Sequence, residues 1–102
     1  MSILENANDH FEHGNYAAAM EGWRQAAEEG DTEAEFLLGQ IHSRGEGIKK
    51  DFLAAHDHFM KAANRGHTEA EYSLGVLYGI GLGVEEDVPE AAYWYTRAAD
   101  KK

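Results

Sequence analysis

The six histidines are the residues of this sequence with the widest chemical range, because imidazole binds metals and titrates near neutral pH. His10 and His13 are spaced to share one face of a helix beside Asp9, whereas His56 and His58 would point apart. A zinc site generally needs three or four converging ligands. We therefore expect no metal site, and a histidine-based metal-binding or pH-responsive regulator stands as an alternative function.

Catalysis would require a nucleophile with its base, or paired carboxylates in a pocket. None of Ser2, Ser43 and Ser73 lies in a nucleophile-elbow motif, and the chain has no cysteine. The pair Gly81-x-Gly83 lacks the further glycine and the lysine of a phosphate-binding loop. Carboxylates are abundant, but a solvated helix surface explains them. The sequence therefore predicts no catalytic residue, no cofactor and no enzymatic activity.

The charge of the chain excludes further classes of partner. It has 19 acidic and 9 basic residues in a length of 102, a formal net charge of −10. Such a surface disfavours nucleic acid, whose affinity depends on Lys and Arg, and anionic membranes. Residues 1–35 hold nine acids and one base, which indicates either a solvated end or attraction for a basic partner. No apolar run is long enough for a membrane helix and no secretory signal is visible, so we expect a cytoplasmic location.

An internal repeat of 36 residues organises the chain. Aligned without a gap, residues 31–66 and 67–102 are identical at 12 of 36 positions. The second half of the same unit recurs once more near the N-terminus, where Asn15 and Trp23 correspond to Asp51 and Phe59. We therefore expect a single domain, residues 1–102, built from units 1–30, 31–66 and 67–102.

Each unit is predicted to be a pair of helices, because apolar residues recur at helical spacing between capping signals. In the first unit, helices at about 2–13 and 16–29 would be joined by a tight turn. Gly39 and Gly75 recur in mid-helix, which favours a close crossing with the partner helix. The predicted boundaries are the capping boxes Thr32-x-x-Glu35 and Thr68-x-x-Glu71, the helix ends Gly45-x-Gly47 and Gly81-x-Gly83, and the N-caps Asn15, Asp51 and Asp87.

These elements predict an all-α fold, a right-handed α/α repeat solenoid of six helices in three antiparallel pairs. The second and third units resemble the Sel-one-like repeat, on Ala34, Leu38, Gly39, Gly45, Gly47, Asp51, Ala55, Phe59, Ala62, Ala63 and Gly66, and on Ala70, Leu74, Gly75, Tyr78, Gly81, Gly83, Asp87, Ala91, Trp94, Tyr95, Ala98 and Ala99. The first unit is similar to a tetratricopeptide repeat, on Ala7, Phe11, Gly14, Asn15, Tyr16, Ala19, Trp23 and Ala26. Two departures are His42, which stands where an aromatic is expected, and the end at Lys101-Lys102 without a closing glycine.

The resemblance implies a non-catalytic adaptor that holds a peptide or protein partner in a concave groove formed by the first helix of each unit. The residues expected to line this groove are Leu4, Asn8 and Glu12 in the first unit, Phe36, Gln40 and Arg44 in the second, and Tyr72, Val76 and Ile80 in the third. The apolar row Leu4, Phe36 and Tyr72 is either the hydrophobic floor of the site or is partly buried between neighbouring helices. Arg44 would suit a carboxylate of the partner.

The C-terminal end is a second candidate surface, because a solenoid usually needs a polar cap at its ends. A further helix stacked there would cover the apolar residues expected to face forward, which are Leu74, Tyr78 and parts of Tyr93, Trp94 and Tyr95. Either the chain is a fragment of a longer array, or this face packs against a partner or a second copy. The sequence therefore also predicts a homo-oligomer through this end, as a self-associating scaffold.

Overall fold

The computed structural model describes residues 1–101, which form six α-helices and no strand. Each helix packs mainly against the helices before and after it in the chain. This arrangement confirms the predicted all-α repeat solenoid of three helix pairs. The helices are α1 (Ile3–Glu12), α2 (Tyr16–Glu28), α3 (Thr32–Arg44), α4 (Phe52–Asn64), α5 (Thr68–Ile80) and α6 (Val88–Ala99).

The N-termini of α3 and α5 begin one residue earlier than a capping box at Thr32 or Thr68 requires. Asp31 caps α3, since its carboxylate accepts a 3.0 Å hydrogen bond from the backbone N–H of Ala34. His67 caps α5, where its Nδ1 accepts a 3.1 Å bond from the N–H of Ala70. The predicted capping boxes are therefore wrong, because the N–H groups of Glu35 and Glu71, which such boxes would use, instead bond to the backbone carbonyls of Asp31 and His67.

The remaining caps divide between confirmed and corrected predictions. Asp51 and Asp87 cap α4 and α6 as expected, each accepting a 3.0 Å bond from the third residue of its helix. Asn15 precedes α2 without a side-chain cap hydrogen bond. A capping box that the sequence analysis missed begins α1, where Ser2 and Glu5 exchange hydrogen bonds of 2.9 and 3.0 Å.

The C-termini of α3 and α5 are glycines in the left-handed conformation, as predicted. Gly45 has φ 71° and Gly81 has φ 86°, values that residues with a Cβ rarely adopt. Both glycine N–H groups bond to carbonyls of the preceding helical turn. The chain then crosses a short loop to the second helix of the pair.

The buried side chains form two clusters, one spanning α1 to α3 and the other spanning α3 to α6. Most are alanines and aromatic residues, so that helices approach closely around a few large rings. The cluster of α1, α2 and α3 contains Ala7, Ala19, Met20, Trp23, Ala26, Ala34, Leu38 and Ile41. The cluster of α3 to α6 contains Phe36, Ala55, Phe59, Ala62, Ala63, Ala70, Leu74, Leu77 and Trp94.

The mid-helix glycines mark the close crossings that the repeat predicted. A Cβ placed on Gly39 would lie 2.6 Å from the ring of Phe59, and one on Gly75 would lie 2.5 Å from the ring of Tyr95. In the first pair the small residues are Gly22 of α2 and Ala7 of α1. A Cβ placed on Gly22 would lie 2.7 Å from the Cβ of Ala7. Each first helix therefore crosses its second helix at a position where no larger side chain fits.

Two carboxylates that the sequence analysis assigned to capping boxes, Glu35 and Glu71, are instead buried at equivalent positions. Glu35 lies 2.8 Å from Nδ1 of His58 on α4. Glu71 is fully buried, and its carboxylate is 2.6 Å from Nζ of Lys101 and 3.2 Å from Nε of Arg97. A buried carboxylate requires a partner of this kind. The signal in the sequence was an identical glutamate three residues before the buried leucine in both units.

A pair of stacked imidazoles joins α3 to α4. The rings of His42 and His58 are parallel to within 5°, with centroids 5.7 Å apart. Burial lowers the pKa of His42, and the neighbouring His58 and Arg24 lower it further, while Asp51 opposes them. The fold therefore favours the neutral form of His42.

We expect Gly39→Ala to lower the free energy of unfolding by about 1–3 kcal/mol, the usual cost of overpacking, despite the better helix propensity of alanine. Phe59 is buried, so its ring cannot swing away from the new methyl group. Urea denaturation followed by circular dichroism measures the change. Gly79→Ala is the control, because its Cβ would meet only Ala91 at 3.7 Å, and it should be neutral or stabilising by up to about 1 kcal/mol. Equal losses in the two variants would contradict the crossing.

His42 should make stability fall at mildly acidic pH. Because its pKa is lower in the folded chain, the unfolded chain binds more protons at this site as the pH falls below about 6.5. The stability that neutral His42 contributes is therefore present above that pH and lost below it. We expect His42→Gln to lose less stability between pH 7 and pH 5 than the parent, as measured by urea denaturation. The exposed His10→Gln variant is the control, and identical pH profiles for both would contradict this prediction.

Candidate functional site

Three adjoining cavities follow the face formed by the first helices of the units. Gln40, near the middle of α3, lines all three, so the cavities form one groove that crosses the chain. Their volumes are about 250 Å³ between α1 and α3, 300 Å³ between α3 and α5, and 770 Å³ toward the C-terminal end. A continuous concave face of this kind is what stacked helix pairs produce.

The cavity between α1 and α3 is the most polar part of the groove. Asn8 and Glu12 of α1 line it opposite Gln40 and Arg44 of α3. The indole N–H of Trp23 on α2 donates a 2.9 Å hydrogen bond to Oδ1 of Asn8. This bond orients the Asn8 side chain. This cavity therefore offers amide, carboxylate and guanidinium groups to a ligand.

The middle cavity brings the second and third units together. Arg44 and Gln40 line it from α3, and Tyr72 and Val76 line it from α5. Arg44 is more than half exposed and lies 3.6 Å from the carboxylate of Glu46, a separation that leaves its guanidinium only loosely paired. Arg44 can therefore turn toward an acidic group of a ligand.

Seven of the nine predicted groove residues line these cavities, which are Asn8, Glu12, Phe36, Gln40, Arg44, Tyr72 and Val76. Leu4 and Ile80 line none of the three. Leu4 instead packs against the cluster of α1, α2 and α3, and Ile80 is exposed in the last turn of α5. The groove therefore excludes the start of α1, where Leu4 lies, and the end of α5, where Ile80 lies.

The apolar row Leu4, Phe36 and Tyr72 does not form a shared hydrophobic floor. Phe36 is buried between helices, where it packs on Phe59 and stacks on His67 with centroids 4.6 Å apart. Leu4 is half-buried, and only Tyr72 is exposed. The alternative that the sequence left open, partial burial between neighbouring helices, describes Leu4. Phe36 is fully buried, because the next helix pair covers its side chain.

The prediction of the C-terminal face is wrong for several of its residues, because of the same packing between units. Leu74 and Trp94 belong to the core, so neither is part of a surface, and Tyr78 is half-buried with its hydroxyl 3.0 Å from Nε2 of His56. Burial raises the pKa of this tyrosine. Of the five residues expected in this face, Tyr93 and Tyr95 are exposed. The sequence pattern identified the apolar residues of α5 and α6 but not the direction in which they face, because α5 turns Leu74 back toward α4.

The histidines mostly pair with single neighbours rather than with one another. Nδ1 of His13 lies 2.8 Å from the carbonyl oxygen of Asp9, and this contact raises the pKa of His13. Nε2 of His67 lies 2.7 Å from Glu33. Within residues 1–101, no group of three or more His, Asp or Glu side chains is placed to hold a metal ion. In the same part of the chain, no helix is long and apolar enough to cross a membrane.

Comparisons with known proteins place this fold among repeat proteins. A Sel1 repeat protein from Oxalobacter formigenes superposes with a TM-score of 0.89 at 27% identity, over 95% of this chain and 40% of its own. A protective antigen of uropathogenic Escherichia coli strains that displays an SLR fold superposes with a TM-score of 0.90 at 38% identity, over 96% of this chain and 22% of its own. The chain therefore spans less than half the length of either protein. No match was found among the curated proteins.

The family model of the Sel1 repeat matches two stretches of the sequence, residues 32–67 and 68–102. The first stretch begins with α3 and contains α4, and the second begins with α5 and contains α6. Together they make up more than half of the chain. The fold, the capping glycines and the repeat match agree on the same helices, and the chain belongs to the Sel1 repeat family.

Proposed function

We propose that this chain is a non-catalytic adaptor, one domain of units 1–30, 31–66 and 67–102, that holds a protein or peptide in the groove over α1, α3 and α5. Sel1 repeats generally mediate protein–protein interactions. The observation that carries the groove assignment is that Gln40 lines three adjoining cavities, so that a single ligand can touch all three units.

The polar groups of the groove favour an extended peptide segment as ligand. The side-chain amides of Asn8 and Gln40 each carry donors and an acceptor, which is what a peptide backbone requires. Arg44 can bind a carboxylate with two parallel hydrogen bonds once it leaves Glu46. Glu12 lies at the α1 side of the groove and suits a basic group. We therefore propose a ligand whose acidic side chain lies at Arg44 and whose basic side chain lies toward α1.

The double variant Gln40→Ala and Arg44→Ala tests the groove. For a partner recovered by affinity capture, we expect at least tenfold weaker binding by isothermal titration calorimetry, because a hydrogen bond to a charged group contributes about 1.5–3 kcal/mol. Both side chains are at least partly exposed, so the fold should be retained.

Leu53→Ala is the control for this experiment, since Leu53 is an exposed residue of α4 that lines none of the three groove cavities. It should bind like the parent. The groove assignment is wrong if the double variant also binds like the parent while its circular dichroism spectrum is unchanged.

A further inference from the structure

A separate cavity of about 390 Å³ is formed by α2, α3 and α4, and its lining residues differ from those of the groove. We call it the α2–α4 cavity. Five of the side chains that line it are ionisable, which are Arg24 and Glu28 of α2, Glu35 of α3, and His58 and Lys61 of α4. The cavity therefore brings charged groups of the first two units together on a surface that the adaptor groove does not use.

The equivalent place in the third unit is filled by side chains of the chain itself. Nε of Arg97 on α6 lies 3.2 Å from the buried carboxylate of Glu71. The guanidinium carbon of Arg97 also lies 5.1 Å from the centroid of the Trp94 ring. A carboxylate and an aromatic ring both attract a guanidinium in this range of distances. The cation of the third unit therefore has its partners within the chain.

The second unit departs from this arrangement at two positions. His58 stands 36 residues before Trp94, and its Nδ1 lies 2.8 Å from the carboxylate of Glu35. Lys61 stands 36 residues before Arg97, but within residues 1–101 the ion pair of Glu35 is with His58 rather than with Lys61. An imidazole is also smaller than an indole, which leaves room in the cavity. Because the imidazole takes the carboxylate, the ammonium group of Lys61 is available to another anion.

Arg24 supplies a second cation from α2, a helix of the first unit. It is the only arginine or lysine among residues 1–35, which hold nine acids. Its guanidinium lies 3.6 Å from the carboxylate of Glu21, and both side chains are more than half exposed. An exposed pair of this length contributes little to stability. The guanidinium can therefore leave Glu21 and bind an anion in the cavity.

The acidic groups of the cavity decide which anion it favours. Glu28 and Glu35 line it together with Arg24 and Lys61, so two negative charges accompany two positive ones. They repel the nearly double charge of a phosphate monoester more than the single charge of a carboxylate. The buried side chain of Leu38 lines the same cavity, and an apolar wall strengthens a charge pair relative to water. These properties favour a ligand with one carboxylate.

We propose that the α2–α4 cavity is a second binding site, which holds a carboxylate between Arg24 of the first unit and Lys61 of the second. Arg24 can bind the two oxygens with parallel hydrogen bonds, and Lys61 acts as a point charge. A small organic acid and an acidic side chain of a protein present this same group. The site is separate from the adaptor groove and does not depend on it.

The probes for this site are acetate, inorganic phosphate and the capped tripeptide acetyl-Ala-Glu-Ala-amide. In the isotopically labelled full chain, at neutral pH and constant low ionic strength, acetate or the tripeptide should shift the backbone amide signals of Arg24, Leu38 and Lys61. The shifts should saturate with a Kd at or below about 10 mM. The matched tripeptide with glutamine in place of glutamate should bind at least tenfold more weakly, because it lacks the charge.

The source of the carboxylate follows from comparing the probes. Tighter binding of the tripeptide than of acetate supports a protein side chain as the ligand, and equal or weaker binding supports a small organic acid. Phosphate that binds more tightly than both overturns the carboxylate assignment. Shifts that do not saturate at up to about 100 mM of either carboxylate probe overturn the proposal as a whole.

The variants Arg24→Gln and Lys61→Gln each remove one positive charge from the cavity. Each should weaken the carboxylate probe at least threefold, and the double variant at least tenfold. Both side chains are exposed, so the fold should be retained. Lys49→Gln is the matched control, since it removes the same charge from an exposed residue that does not line the cavity, and its Kd should equal that of the parent. Unchanged binding by the double variant, or an equal loss in the control, contradicts the site.

Discussion

The insertion of an aromatic ring into the notch at a mid-helix glycine is the contact on which the rest of this structure depends. Phe59 lies over Gly39 and Tyr95 lies over Gly75, so closely that no Cβ fits between them. The alanines around the rings let the helices approach, and each buried ring removes a large apolar area from water. A chain of 102 residues can be stable on this basis because each unit needs only its neighbours.

The same contact makes the two ends of the molecule unequal. An inner ring is covered by the first helix of the next unit, as Phe59 is by α5, while the ring of Tyr95 in the last unit is partly exposed among residues 1–101. At the other end, α1 directs polar side chains outward. Within residues 1–101, the α1 end is therefore covered by polar side chains, while the open end, beside Tyr95, carries a cavity of about 770 Å³.

Much of the fold could be predicted because the internal repeat allows equivalent positions of the two units to be compared. Identical glycines at 45 and 81 indicated the helix ends, and Asp51 and Asp87 indicated helix starts, since these residues act through local backbone geometry. The caps of α3 and α5 were misplaced by one residue, because Asp31 and His67 differ in type and do not stand out in the alignment. The groove was located in outline from spacing alone, but Phe36 and Leu74 were given the wrong exposure, since each is covered by a helix of a neighbouring unit.

The sequence by itself determined the repeat, the helix pairs, the positions of close crossing and the acidic charge, because these follow from residue type and local spacing. Only the tertiary structure decided which face of each helix is covered by a neighbour. That face depends on the angle at which successive pairs stack, and this angle results from the summed packing of rings and alanines over three helices at once. For this reason the buried Glu35 and Glu71, the course of the groove through Gln40 and the exposure of Tyr72 at the open end became visible only in the folded chain.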